Sequence, residues 1–292
     1  MIAQKKYVFV VNPISGDVDK TAISNLVTTF SSENNIDCIV YETTGNDDKA
    51  KIKSLHDTHQ PERVIVAGGD GTIKMVAEAL EKDDVIFGIL PAGSANGLAV
   101  DLDLPTTVQE NLAIAFFSPY KAIDMIDING LKSLHLSDIG LNADLIKNYE
   151  KSATRGKLGY ALQIITTLSD MDEPFEATIN CEEKTLTCQA RMIVIANSQK
   201  YGTGVTINPK GKMDDGFFEI VILKNFDLLI FGKIVTGNMP LDTDDIEIIT
   251  TKKATIKTNV PVNFQIDGEF CGEETFLDIK ILPGRMKVAV QE

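Results

Sequence analysis

The 292-residue sequence has no apolar run approaching the roughly 18 to 20 residues that a membrane-spanning helix needs, so a soluble protein is expected. Its opening stretch, MIAQKKYVFVVNP, runs straight into a strand-like segment without a small-residue cleavage site, which argues against secretion. Cysteine is sparse. Cys38, Cys181, Cys188 and Cys271 form no CxxC pair, which speaks against a disulfide scaffold or a zinc site and for a reduced cytoplasmic protein; Cys181 and Cys188 flank a possible hairpin turn and read as free, buried thiols. Positive charge is in deficit: 28 basic residues face 42 acidic ones, for a net charge of −14. No basic excess exists to displace counterions from a polyanion, so nucleic acid is not expected as the main partner, nor is simple electrostatic adsorption to anionic lipid. A local basic group, Lys151, Arg155 and Lys157 in KSATRGKLGY, reads equally as a docking patch or a solvated helix start. The three histidines, His56, His59 and His135, lie far in sequence from the glycine-rich motifs below, so no histidine triad or zinc site is expected. A GxxxxGK[ST] loop is missing, which excludes ordinary P-loop chemistry. Low-complexity tracts and internal repeats are missing too.

At about 100 to 200 residues per domain, the length suggests two domains. The first 120 residues or so alternate strand and helix patterns. KYVFVVNP, IDCIVYE, RVIVA and VIFGILP read as buried strands; Ile23, Leu26, Val27 and Phe30, then Ile73, Val76, Ala77 and Leu80, fall at i, i+3, i+4 and i+7 on helices. Helices are also expected from near Asp47 and around QENLAIAFF. Four such alternations with short links predict a parallel α/β sheet. The pattern changes near Lys121. KAIDMIDI and LKSLHLSDI flank Asn129-Gly130, a strong type I′ hairpin signal. FEATIN, KTLTCQARMIVIANS, GFFEIVIL, IEIITTKKATIKT, VPVNFQID and FLDIKILP follow as β-rich runs, interrupted by helices at GKLGYALQIITTLSDM and around LLIFGKIVTG. The apolar residues of the first of these helices suit a core more than a lipid groove. The predicted division is an α/β domain over 1–122 and an antiparallel β-sandwich over 123–292; whether the late strand GRMKVAVQE returns to the first domain is left open.

Residues 66–75, VAGGDGTIKM, place Gly68, Gly69 and Gly71 between a strand and a helix. A glycine-rich turn there lets backbone N–H groups approach a phosphate, with the helix dipole assisting. Asp70 beside such an anion suggests an intervening Mg2+; the alternative is that Asp70 and Thr72 cap the helix. Two further strand ends carry similar loops: Asn12, Ser15 and Gly16 in VVNPISG, and Gly93, Ser94 and Asn96 in ILPAGSANGLA. In an open α/β sheet these ends line one crevice, so the three loops are expected to share one nucleotide ligand.

With NPISG at 12–16, GGDGT at 68–72, LPAGSANGLA at 90–99, MDDGFFEIVIL at 213–223 and IDGE at 266–269, most of the chain resembles the bacterial diacylglycerol kinase-like lipid kinases, relatives of sphingosine and ceramide kinases. GGDGT alone is shared with phosphofructokinases and NAD kinases; the combination with the LPxG[ST]xN loop and a late DGE is specific. The resemblance implies an NAD kinase/phosphofructokinase-like first domain. It implies that Asn12, Pro13, Ile14, Ser15, Gly16, Thr44, Gly68, Gly69, Asp70, Gly71, Thr72, Ile73, Lys74, Ser94 and Asn96 contact ATP, Ser94 replacing the commoner threonine. Thr44 rests on a weaker match, its distance from Ala50. The resemblance also implies a Mg2+ in the second domain, on the Asp215 carboxylate and the carbonyls of Lys212 and Phe217, although MDDG reads equally as a turn. It implies Asp267 as the catalytic base, with Asp70 and Glu269 assisting; by itself Asp267-Gly268 reads as a hairpin turn.

The expected activity is ATP- and Mg2+-dependent phosphorylation of a lipid hydroxyl, with diacylglycerol first and a sphingoid base, phosphatidylglycerol or NAD as alternative acceptors. A non-catalytic lipid- or nucleotide-binding protein is the remaining alternative, and Asp70, Asp215 and Asp267 together count against it. Transient contact with the cytoplasmic membrane face is expected. A homodimer is compatible with the sequence, which does not fix the oligomeric state.

Overall fold

The computed structural model describes residues 4–16, 19–94, 96–141, 143, 173–182, 184–200, 206–225 and 244–291. The basic group at 151–157 and the helices expected at 156–171 and 228–237 lie outside the described residues. The chain divides into two units, Met1–Asp124 with Gly284–Glu292, and Met125–Pro283.

In the first unit, β1 (Lys5–Val11), β2 (Ile36–Glu42), β3 (Arg63–Gly68) and β4 (Ile86–Pro91) run parallel in the order β4-β3-β1-β2. They are connected by α1 (Lys20–Glu33), α2 (Asp48–His59) and α3 (Asp70–Ala79), followed by α4 (Gly97–Asp101) and α5 (Val108–Phe117). Strand β1 is apolar and buried from Tyr7 to Val11 because both its faces are covered there. Tyr7, Phe9 and Val11 pack with Ile23 and Val27 of α1 and Leu112 and Phe116 of α5, while Val8 and Val10 alternate to the opposite face and are equally buried. Asp19 starts α1 by accepting the N–H groups of Thr21 and Ala22 at 2.9 and 3.2 Å. The last residues of β14 (Glu269–Ala289) add to this sheet, Lys287 and Val288 lying parallel to Ile86 and Phe87 of β4.

The second unit is antiparallel: β6 (Leu131–Ser133), β7 (Leu136–Gly140), β8 (Phe175–Cys181), β9 (Lys184–Ala190), β10 (Met192–Ala196), β11 (Phe218–Leu223), β12 (Ile246–Thr251) and β13 (Lys253–Ile266), with most of β14 and the end of β5 (Tyr120–Ile128). Its core joins Ile139, Ile179, Ile193, Ile195, Phe218, Phe264 and Leu277. Two long runs divide where a single residue breaks the ladder, at Arg191 and at Lys252. Conversely, KKATIKT and VPVNFQI join into one strand. Pro261 lacks a ladder N–H, and the pairing with β14 shifts register between Lys257 and Val262 to accommodate it. The cysteines are free, half-buried at 38, 181 and 188 and exposed at 271, so Cys181 and Cys188 are less buried than expected.

Candidate functional site

The strand order β4-β3-β1-β2 reverses direction between β3 and β1, and in such sheets ligands bind outside the carboxyl ends at this point. The loops there are NPISG after β1 and GGDGT after β3. Asn12 ties them: its N–H donates to Ala67 O at 3.1 Å and its Nδ2 donates to Thr72 Oγ1 at 3.0 Å. The LPAGSAN loop after β4 joins them by backbone contact. A Cβ on Gly93 would lie 2.3 Å from Gly69 Cα, and one on Gly16 would lie 2.8 Å from Ala92 O, so only glycine lets the three loops meet. Gly16 also has φ +57°, which a side chain rarely adopts. At the next strand along, Thr43 N–H reaches Val11 O at 2.9 Å, placing Thr44 at the same edge.

Helix α3 begins at this junction with Gly69 as its N-cap, and no side chain caps it. An uncapped first turn presents main-chain donors to an anion. Asp70 therefore does not cap its own helix, and Thr72 Oγ1 instead accepts Asn12. The Asp70 carboxylate caps α4: Oδ2 accepts Gly97 N–H at 2.7 Å and Oδ1 accepts Leu98 N–H at 2.9 Å. Asn96, at φ +54°, closes the turn before it, accepting Gly93 N–H at 2.8 Å. Of the remaining residues expected here, Pro13, Ile14, Gly71 and Ser94 are exposed, whereas Ile73 and Lys74 are buried. Ile73 packs in the core and can offer a ligand only its main chain.

Lys20 escaped the sequence reading. Its buried ammonium donates to Ser15 O and, at 2.9 Å, to Ala92 O, binding two of the loops together. The signal was a lysine in the first turn of a helix, against the helix dipole.

In the second unit, Asp267 and Gly268 form the β13–β14 turn with φ +51° and +87°, so the turn geometry predicted for them is present. The Asp267 carboxylate is held firmly: Oδ1 accepts Ser133 Oγ at 3.0 Å and His135 N–H at 2.9 Å, and Oδ2 accepts Leu134 N–H at 2.9 Å. His135, expected far from every motif, thus touches Asp267 through its main chain. Its ring Nδ1 lies 3.2 Å from Ser198 Oγ. Asn208 Nδ2 then donates to Ser198 O at 3.2 Å and to Glu219 Oε2 at 2.8 Å. Burial pushes the Glu219 carboxyl above its ordinary range, against the hydrogen bonds from Asn208 and Thr250. This buried polar path ends beside the turn at 213–216, where Asp215 Oδ1 accepts Phe217 N–H at 3.0 Å. Glu269 is exposed at the start of β14. One carboxylate at Asp215 with the carbonyls of Lys212 and Phe217 is an all-oxygen donor set, which suits a hard cation such as Mg2+.

The family model described as diacylglycerol kinase catalytic domain matches residues 6–128. The model described as YegS C-terminal NAD kinase beta sandwich-like domain matches residues 138–290, more than half of the chain. The chain belongs to the diacylglycerol kinase-like lipid kinase family. A catalytic domain of that kind makes it an enzyme of the kinase class. Among curated relatives, the lipid kinase YegS of Escherichia coli K12 is 29% identical over 232 residues, covering 77% of this chain and 76% of its own. An uncharacterised Synechocystis protein is 27% identical over 236 residues; the match takes in 77% of this chain but spans only 54% of that relative. A crystal structure of a diacylglycerol kinase from Bacillus anthracis Sterne superposes with a TM-score of 0.80 at 22% identity, covering 98% of this chain and 97% of that one. The lipid kinase fold therefore accounts for both units, a parallel α/β domain and a β-sandwich. Among the described residues no helix is long and apolar enough to cross a membrane.

Proposed function

We propose that the protein is an ATP- and Mg2+-dependent lipid kinase that transfers the γ-phosphoryl group of ATP to the hydroxyl of diacylglycerol. The observation that carries this reading is the meeting of Gly16, Gly69 and Gly93, backbone against backbone, beside the uncapped first turn of α3. A phosphate chain needs such a cradle of main-chain donors. Residues 1–122 bind the nucleotide and residues 123–292 the lipid.

In this reading Asn12 to Gly16, Thr44, Gly68 to Lys74, Ser94 and Asn96 hold ATP. Asp70 fixes the third loop by capping α4, and its remaining lone pairs can take a water of the cation's shell. Asp267 orients the acceptor hydroxyl and takes its proton as the oxygen attacks phosphorus. Because Ser133, Leu134 and His135 already hold its carboxylate, little reorganisation is needed at the moment of transfer. Glu269 assists from the next residue pair. Mg2+, when bound, offsets phosphate charge, and Asp215 with the carbonyls of Lys212 and Phe217 would hold one such ion. A bilayer-borne acceptor requires transient contact with the cytoplasmic membrane face.

The test supplies Mg2+ and γ-labelled ATP with mixed micelles of diacylglycerol, a sphingoid base or phosphatidylglycerol, and with NAD, alongside Asp267→Asn. Label in diacylglycerol that disappears in the variant is the expected result. Label confined to another acceptor, or ATP bound without transfer, overturns it.

A further inference from the structure

Away from the glycine-rich loops, the second half of α2 and the turn after α3 assemble side chains that the proposed reaction does not use. His56 is only 7% exposed, and its Nδ1 has no hydrogen-bond partner. That nitrogen lies 3.6 Å from Asp57 Oδ1 and 3.6 Å from Asp83 Oδ1, beyond hydrogen-bond range. The second carboxylate oxygen of Asp83 is also buried without a partner. The three ligand atoms lie within 4.8 Å of one another.

Buried polar atoms left unpaired are costly, and a cluster of two calls for an explanation. Metal ligation supplies one. Ligands about 2.0 to 2.1 Å from a tetrahedral ion stand about 3.3 Å from each other, so the 3.6 Å separations are within a few tenths of an ångström of a coordination shell. A cation already bridges the carboxylates: the Lys53 ammonium donates to Asp57 Oδ1 at 2.5 Å and to Asp83 Oδ1 at 2.9 Å. Lys53 is 41% exposed, so its side chain can swing into water without disturbing the core.

We propose that His56, Asp57 and Asp83 form a site for a divalent transition metal of the Zn2+ type, which displaces the Lys53 ammonium on binding. One imidazole with two carboxylates suits Zn2+ better than Mg2+, which requires a nearly complete octahedron of oxygens. A zinc site at His56 is not legible from sequence spacing, because the third ligand, Asp83, comes from a distant turn. The site is separate from the phosphate loops. His56 follows Asp48 by two helical turns, about 12 Å at 1.5 Å per residue, towards the far end of the sheet. An ion there clips α2 to the turn after α3, and its effect falls on stability.

The full chain, stripped by a chelator, is titrated near neutral pH with Zn2+ and with Co2+. One equivalent binds, the melting temperature rises, and Co2+ gives visible ligand-field bands without the near-ultraviolet band of a thiolate, which keeps the cysteines out. Asp57 is exposed, so Asp57→Asn preserves the fold; losing a direct ligand weakens binding by at least the 10- to 100-fold typical of outer-shell changes, about two orders of magnitude. Lys53→Met removes the competing cation and tightens binding. Equal affinity in Asp57→Asn and His56→Gln, a thiolate band, or no melting shift at millimolar metal overturns the proposal. None of these readouts depends on kinase activity.

Discussion

Asp70 accepts the backbone N–H of Gly97 at 2.7 Å and that of Leu98 at 2.9 Å, so the carboxylate of one glycine-rich loop builds the helix that follows another. Asp70→Ala strands both donors, and the expected loss of stability is about 1–3 kcal/mol, measured by urea unfolding. Asp70→Asn keeps one acceptor oxygen and loses less. If Asp70→Ala abolishes phosphoryl transfer with unfolding unchanged, the carboxylate serves the cation alone and the loop-building role is wrong.

Gly93 tests the phosphate cradle. An alanine there places Cβ 2.3 Å from Gly69 Cα and 2.9 Å from Gly69 N, backbone atoms that cannot yield as a flexible side chain would. Gly93→Ala is expected to cost about 1–3 kcal/mol through overpacking and to abolish ATP binding. Gly130→Ala is the control. It strains a positive φ of +87° but meets nothing within 4 Å, so it lowers stability and leaves ATP affinity intact. Equilibrium nucleotide binding separates the two.

Local chemistry explains why much of this was legible. β2 ends where IDCIVYE ends, and Asn129-Gly130 turns as its residue types require, at φ +52° and +87°. Misread elements depend on distant partners. Helix α4 has five residues and no apolar period; Asp70 caps it from the glycine-rich junction after β3, 27 residues earlier. His135 lies far in sequence from the motifs, yet its main-chain N–H reaches Asp267. KKATIKT and VPVNFQID read as separate runs, and only the pairing with β14, with its register shift between Lys257 and Val262, reveals one strand. Backbone donors and register leave almost no trace in residue type, which is why these features needed the fold.

Asp48 and Tyr41 support the loop carrying Thr44, and they make its stability depend on pH at both extremes. Burial works against the Asp48 charge, but donors from Thr44 N–H at 2.9 Å, Tyr41 Oη at 2.6 Å and Gly45 N–H at 2.8 Å prevail and hold its carboxyl below the ordinary range. A depressed folded value contributes stability above the unfolded pKa of about 3.9, and that contribution disappears as pH falls through the folded value. Burial first, then the bond to Asp48, pushes Tyr41 up to about 12. A raised value gives stability that is whole below the unfolded pKa of about 10 and is lost as pH rises towards the folded one. Asp48→Asn should therefore flatten the acid limb of unfolding stability against pH, and Tyr41→Phe the alkaline limb. Limbs that coincide with those of the unmodified protein would remove both groups from the account.

Ser133 distinguishes an oriented base from a mere turn residue at Asp267. Asp267→Asn keeps the positive φ, since asparagine tolerates it, but turns an amide group towards donors that need an oxygen. Its loss of kcat, about 100-fold or more if Asp267 takes the proton, comes with about 1–3 kcal/mol of lost stability, so activity must be normalised to folded protein. Ser133→Ala leaves the carboxylate and removes one of its anchors, the 3.0 Å bond from Oγ. With the base present but less firmly aimed, kcat should fall by less than in Asp267→Asn while the KM for ATP stays unchanged, because Ser133 lies outside the nucleotide loops. A raised KM for ATP with kcat intact would place Asp267 and its anchors in binding and not in the transfer step.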